Sequence, residues 1–111
     1  RSNDMIISGG YNIYPKEVEL VLDEIDVIKE SAVIGCKHDD LGEAVVAIII
    51  PRDTKKSISD DKIKKILLKS LAGFKCPKKY IWLDKLPRNA MGKVQKKELK
   101  KNFNNIFKEG I

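Results

Sequence analysis

Ser31-Ala32-Val33-Ile34-Gly35 and Ala44-Val45-Val46-Ala47-Ile48-Ile49-Ile50 decide the architecture of this chain. Both are short apolar runs, and the second suits a buried strand that ends at Pro51. The polar stretch Lys37-His38-Asp39-Asp40-Leu41-Gly42-Glu43 lies between them. The two runs are therefore expected to pair as an antiparallel hairpin with a long connection. Val27 to Glu30 reads as the segment leading into the first strand.

Upstream, Asp4-Met5-Ile6-Ile7-Ser8 reads as a short strand, Gly9-Gly10 as a hairpin turn and Tyr11-Asn12-Ile13-Tyr14 as the returning strand. Pro15 then opens a helix, with Glu17 and Glu19 near its positive end. Val18, Val21, Leu22 and Ile25 recur at helical spacing. Downstream, Arg52 to Ser57 is a charged loop, and Ser59 is placed to cap a helix carrying Ile63, Ile66, Leu67, Ser70 and Leu71. Phe74-Lys75-Cys76-Pro77 ends that helix, with Lys75 as a C-terminal cation. Lys79 to Leu83 reads as a third main strand. Glu98 to Phe107 reads as a last helix with Leu99, Phe103, Ile106 and Phe107 turned inward. Strands and helices mix without βαβ repetition. The expected fold is therefore an α+β two-layer domain: a short N-terminal β-hairpin, a mostly antiparallel three-stranded sheet and flanking helices.

The chain has 111 residues, enough for one domain with a modest core. No apolar run approaches the ~20 residues of a membrane span. Arg1 is not a natural start, so the expectation is a protein that begins upstream. Cys36 and Cys76 show no metal-type spacing, and two buried free thiols in a reducing cytosol are favoured over a disulfide. His38 is the only histidine, which leaves no two-histidine metal site and suits a surface position. The net charge of +6 rests mostly on lysine. It permits nucleic acid, anionic lipid or a phosphorylated ligand as partner, but solvated helix faces account for it more simply. The few aromatics are not interleaved with basic residues as RNA binding requires.

One lysine stands apart. In Leu86-Pro87-Arg88-Asn89-Ala90-Met91-Gly92-Lys93-Val94-Gln95-Lys96, Pro87 disfavours helix at Leu86, and Asn89 and Gly92 are turn formers. Lys93 follows a glycine on a short exposed loop, from which a compact cation can reach a carboxylate or phosphate oxygen outside its own domain. Taken alone, Lys93 reads as a solvated surface lysine, Gly9-Gly10 as a structural turn, and Lys96 and Lys97 as solvated charges at a helix start.

The order of these motifs says more than any one of them. Asp4 to Glu19, Ser31 to Gly35, Leu41-Gly42-Glu43, Leu71 to Pro77 and Leu86 to Lys93 follow one another in an arrangement that resembles the C-terminal domain of the adenylate-forming superfamily. That superfamily comprises acyl-CoA synthetases, adenylation domains of peptide synthetases and luciferases. The resemblance runs from Arg1 to about Phe103, and the run around Met91 to Lys96 looks most like malonyl-CoA synthetases.

The resemblance implies that residues 1–111 form the lid domain of a cytoplasmic acid–CoA ligase, with a larger N-terminal adenylation domain as partner. ATP, Mg²⁺, CoA and a carboxylic acid would serve the whole enzyme, and none would be bound by this domain alone. Lys93 would be the catalytic lysine of adenylation. Arg1 would contact the nucleotide ribose, and Asn3 would sit at the hinge, where the family usually has Asp or Lys. Gly9, Gly10 and Tyr11 would border the pantetheine tunnel used in thioester formation. Lys37 stands where many relatives carry proline, a change expected to loosen a loop. The rival readings are an adenylation domain that loads a carrier protein, a small basic nucleic-acid-binding module and a non-enzymatic interaction domain.

Overall fold

A computed structural model describes residues 4–108. The expected hairpin of apolar runs forms its centre. Strand β3 spans Ile28–His38 and β4 spans Gly42–Pro51, paired antiparallel from Ile28↔Pro51 to His38↔Gly42. Both strands exceed the sequence reading. Residues 28–30, read as a lead-in segment, belong to β3, and so do Lys37 and His38. The connection is a tight turn of residues 39–41 rather than a long loop. The turn closes because His38 Nδ1 accepts from the N–H groups of Asp40 and Leu41, each at 3.2 Å. His38 is thus half-buried and structural, with its ring edge-on to Phe107.

β4 is buried on both faces, and its side chains divide by parity. Val45, Ala47 and Ile49 join Val33 in one core with Val18 and Leu22 of helix α1 (Pro15–Leu22) and Ile63 and Leu67 of helix α2 (Asp60–Leu67). Val46, Ile48 and Ile50 join Ala32, Ile34 and Cys36 in a second core, closed by Leu86 and by Leu99 of helix α3 (Lys96–Phe103). A strand with apolar side chains at every position needs cover on both sides, and the three helices supply it.

Strand β5 (Lys79–Trp82) runs parallel to β4, from Val46↔Lys79 to Ile49↔Trp82. With β3 and β4 it makes up the three expected main strands, and among the described residues β4–β5 is the one parallel pair in a sheet otherwise antiparallel. The N-terminal hairpin extends the sheet to five strands: β1 (Ile6–Ser8) pairs with β2 (Tyr11–Ile13) and meets β4 at Ser8↔Gly42. Among the described residues no helix is long and apolar enough to cross a membrane.

The helix starts follow the chain's own signals. Pro15 stands in the first turn of α1, and Ser59 caps α2 by accepting from the Lys62 N–H at 3.2 Å. The outer edge of β3 is closed by side chains. The Val33 N–H donates to Glu19 Oε2 at 2.8 Å, and the Lys37 N–H donates to Asn104 Oδ1 at 3.1 Å. Proline at position 37 would lack that donor. Lys37 therefore ties a strand edge down instead of loosening a loop. Both cysteines are free and buried.

Candidate functional site

Two exposed turns carry the residues singled out in the sequence. The first is Gly9-Gly10. Both glycines have positive φ, 57° and 87°, the geometry of a two-residue turn whose twist matches the flanking strands. The turn is docked on the domain: the Gly9 N–H donates to the Leu41 carbonyl at 2.9 Å, and the Ile7 N–H donates to Glu43 Oε1 at 3.2 Å. A Cβ on Gly9 would lie 3.2 Å from Leu41 Cδ2, whereas one on Gly10 would meet open space. Tyr11 is 57% exposed and stacks on Phe74, with ring centroids 4.4 Å apart. Gly9, Tyr11, Leu41, Phe74, Cys76 and Lys78 line a cleft of about 210 Å³. That is less than the ~300 Å³ at which small-molecule pockets begin. Burial raises the Cys76 thiol above its ordinary 9.0, so the cleft wall offers a neutral thiol near pH 7. Gly9 and Tyr11 thus line one cleft with Phe74, which the sequence marks as a helix end, whereas Gly10 faces open space beside it.

The second turn is the Lys93 loop. Its roots are packed into the second core, by buried Leu86 on one side and half-buried Val94 on the other. Arg88 and Val94 form an antiparallel bridge between them. Inside the loop, Asn89 Oδ1 accepts from Met91 N–H at 3.0 Å and from Lys93 N–H at 2.9 Å. Gly92 takes φ +83°, which turns the chain back towards Arg88. The Lys93 side chain is exposed, and its ammonium has no hydrogen-bond or ion-pair partner among the described residues. The arrangement is a cation with a fixed root and a free end.

Lys96 differs from the sequence reading. Its ammonium is 2.7 Å from Asp4 Oδ2 and 2.7 Å from Glu19 Oε2, and its side chain is only 24% exposed. It ties the chain's entry, α1 and α3 together and is not a solvated charge. Lys97 is exposed, as expected. Lys75 closes its short 3₁₀ turn and pairs with Glu17 of α1 at 2.9 Å. Nothing in the sequence marks these partners, because they lie far away along the chain. Arg1 and Asn3 lie outside the described residues. Among the described residues no group of three or more His, Cys, Asp and Glu side chains is placed to hold a metal ion.

Known proteins share this domain. The family model for the AMP-binding enzyme C-terminal domain matches residues 17–93. A 2-succinylbenzoate–CoA ligase from Listeria monocytogenes is 44% identical over 90% of this chain and 21% of its own. A malonate–CoA ligase from Arabidopsis thaliana is 40% identical over 94% of this chain and 19% of its own. The crystal structure of apo MatB from Rhodopseudomonas palustris superposes with a TM-score of 0.92 at 45% identity, over 97% of this chain and 21% of that one. The chain spans about a fifth of the length of these relatives. With the family model covering most of the chain and relatives more than 40% identical over nine-tenths of it, the chain belongs to the AMP-binding enzyme C-terminal domain family, in the company of acid–CoA ligases.

Proposed function

We propose that the whole protein is an ATP-dependent, AMP-forming acid–CoA ligase and that this domain is its mobile lid. The observation that carries the reading is the Lys93 ammonium, free at its tip on a loop whose backbone is pinned. In the first half-reaction a carboxylate oxygen attacks the α-phosphorus of ATP, and the bond to pyrophosphate breaks. Two anions must approach each other. Lys93 bridges the carboxylate and the α-phosphate, relieves their repulsion and stabilises the charge that builds on phosphorus.

In the second half-reaction the CoA thiol attacks the acyl carbonyl and AMP leaves. The lysine then has no further task and a thin pantetheine arm must enter. The cleft lined by Gly9 and Tyr11, beside the Gly10 turn, supports the entry of that arm on this side of the domain. Rotation of the domain about Asn3 exchanges one turn for the other, and Arg1 holds the nucleotide ribose at the linker end. The larger N-terminal domain holds ATP and the acid. Mg²⁺ travels with ATP on this reading, and no described residue serves as its ligand. The relatives' names include both 2-succinylbenzoate and malonate at similar identity, so likeness in this domain does not select the acid. The isolated domain is expected to be inactive, because its sequence has no glycine-rich phosphate loop.

The test is Lys93→Ala in the full-length enzyme. ATP–pyrophosphate exchange should fall about 10²–10³-fold, the usual cost of one preorganised charge contact. Conversion of synthetic acyl-adenylate and CoA to thioester should be largely spared. An equal loss in both assays overturns the division of labour.

A further inference from the structure

A catalytic cation helps only where it already stands when the reaction occurs. Among the described residues the Lys93 ammonium has no hydrogen-bond or ion-pair partner to hold it, so its position must come from its backbone. We infer that Asn89 and Arg88 are positioning residues for Lys93, on which adenylation depends and thioester formation does not. The inference rests on the role proposed for Lys93.

Hydrogen bonds around Asn89 converge on Lys93. Asn89 Oδ1 accepts from the Lys93 N–H at 2.9 Å, and the Asn89 N–H donates to the Lys93 carbonyl at 3.0 Å. Asn89 Oδ1 also accepts from the Met91 N–H at 3.0 Å, and the Asn89 carbonyl accepts from the Gly92 N–H at 2.9 Å. Asn89 therefore holds both backbone groups of Lys93 and the two residues before it. A second donor, Gln95 Nε2, reaches the Lys93 carbonyl at 2.9 Å.

Arg88 fixes this unit to the sheet. One guanidinium nitrogen donates to the Gly92 carbonyl at 2.7 Å, and another pairs with the Glu30 carboxylate in β3. Arg88 thus braces the residue before Lys93 against β3. Hydrogen bonds this exposed each contribute little to global stability, since water replaces them when they open. Their concentration on one backbone position instead sets the direction in which the lysine leaves the loop. Leucine at 89 keeps the side chain's size and loses the acceptor. Aspartate keeps the acceptor.

The test uses the full-length enzyme and both half-reactions. Asn89→Leu should lower kcat for pyrophosphate exchange roughly tenfold to a hundredfold, the order expected for an ångström of misplacement. The KM for ATP and the conversion of synthetic acyl-adenylate should stay near wild type. Asn89→Asp should recover most of the exchange. In a Lys93→Ala background, Asn89→Leu should add no further loss, because the group it positions is gone. Arg88→Met should show the same selective loss, to a smaller degree, and it decides the matter if Asn89→Leu does not fold. Wild-type exchange in Asn89→Leu, an equal loss in both half-reactions, or a full additional loss on top of Lys93→Ala each overturns the inference. If Lys93→Ala itself exchanges normally, the role of Lys93 fails and that of Asn89 falls with it. If Lys93→Ala is inactive while Asn89→Leu and Arg88→Met are normal, only the positioning inference fails.

Discussion

The Gly9-Gly10 turn and the Arg88–Val94 loop both reverse the chain on left-handed glycines at the surface, yet they are held in opposite ways. The first is short, has no side chain at its tip and is docked by its neighbours: Leu41, Glu43 and the Tyr11–Phe74 stack. The second is longer and organises itself around one asparagine, with its apolar contacts confined to its roots. Their anchors also lie at opposite ends of the β3–β4 ladder. Gly42 meets the hairpin, whereas Arg88 reaches Glu30, whose ladder partner is Ile50. Eight residues of β4 separate Gly42 from Ile50, about 26 Å at ~3.3 Å per residue. A turn without side chains offers passage, and a self-bracketed turn offers a fixed charge. On the proposed reading, a single rotation of the domain exchanges these two ends of one ladder.

The comparison is broken most sharply at Gly10. In the full-length enzyme, Gly10→Leu should lower thioester formation from synthetic acyl-adenylate roughly tenfold to a hundredfold while sparing pyrophosphate exchange. Gly10→Ala separates the causes. It shares the positive-φ strain, about 1–2 kcal/mol, but has no side chain long enough to obstruct. A Cβ at Gly10 meets no described atom within 4 Å, so alanine fits there and a selective loss with leucine alone is due to the longer side chain. Equal damage from alanine and leucine refutes the passage role.

A middle-sized effect is expected from Lys96, which pairs with Asp4 and with Glu19 of α1. Lys96→Met should destabilise the domain by about 1–2 kcal/mol, because it breaks two ion pairs and leaves the Glu19 carboxylate poorly compensated. Lys97→Ala should stay within about 0.5 kcal/mol of wild type. Urea titration of both variants checks this, and equal midpoints refute the tie.

The smallest effect is kinetic. Burial pushes the Cys36 thiol up from 9.0 to about 11 and raises Cys76 as well, so at pH 8 little of either is the reactive thiolate. Labelling of the native protein should therefore be slow and should speed up about tenfold per pH unit below each thiol's pKa. Cys76 lines the hairpin cleft and should react before Cys36. Tyr11→Ala, which unstacks Phe74, should accelerate Cys76 labelling alone. Acceleration at Cys36 as well would mean that the hairpin end opens together with the core.

Much of this was legible in the sequence wherever a local rule applies. The all-apolar run 44–50, Pro15 at a helix start, Ser59 as a cap and Gly9-Gly10 as a turn each act through neighbours a few residues away. The strand ends were misread because Lys29, Glu30, Lys37 and His38 are polar. Pairing continues through polar residues when a ladder partner is available, as here as far as Gly42. The candidate lysine was visible from Gly92-Lys93 and from the order of the motifs. Its bracket was only half visible. Asn89 announces a turn, but not that one side-chain oxygen serves two N–H groups. Long-range partners were not legible at all. Lys96 and Asp4 are 92 positions apart, and no periodicity links them.

The side chains that close the outer edge of β3 also protect the chain from itself. Residues 44–50 carry no charge and no proline, which makes them a segment prone to cross-β stacking once released from the fold. In the native domain β4 has β3 on one side and β5 and β1 on the other, so its own edges are occupied. β3 is one of the strands with an open side along which an incoming strand could extend the sheet. There Glu19 and Asn104 already take the N–H groups of Val33 and Lys37, and any addition would first have to displace them. Two side chains, from α1 and from the turn after α3, thus guard the β3 edge of a sheet built around an amyloid-like strand.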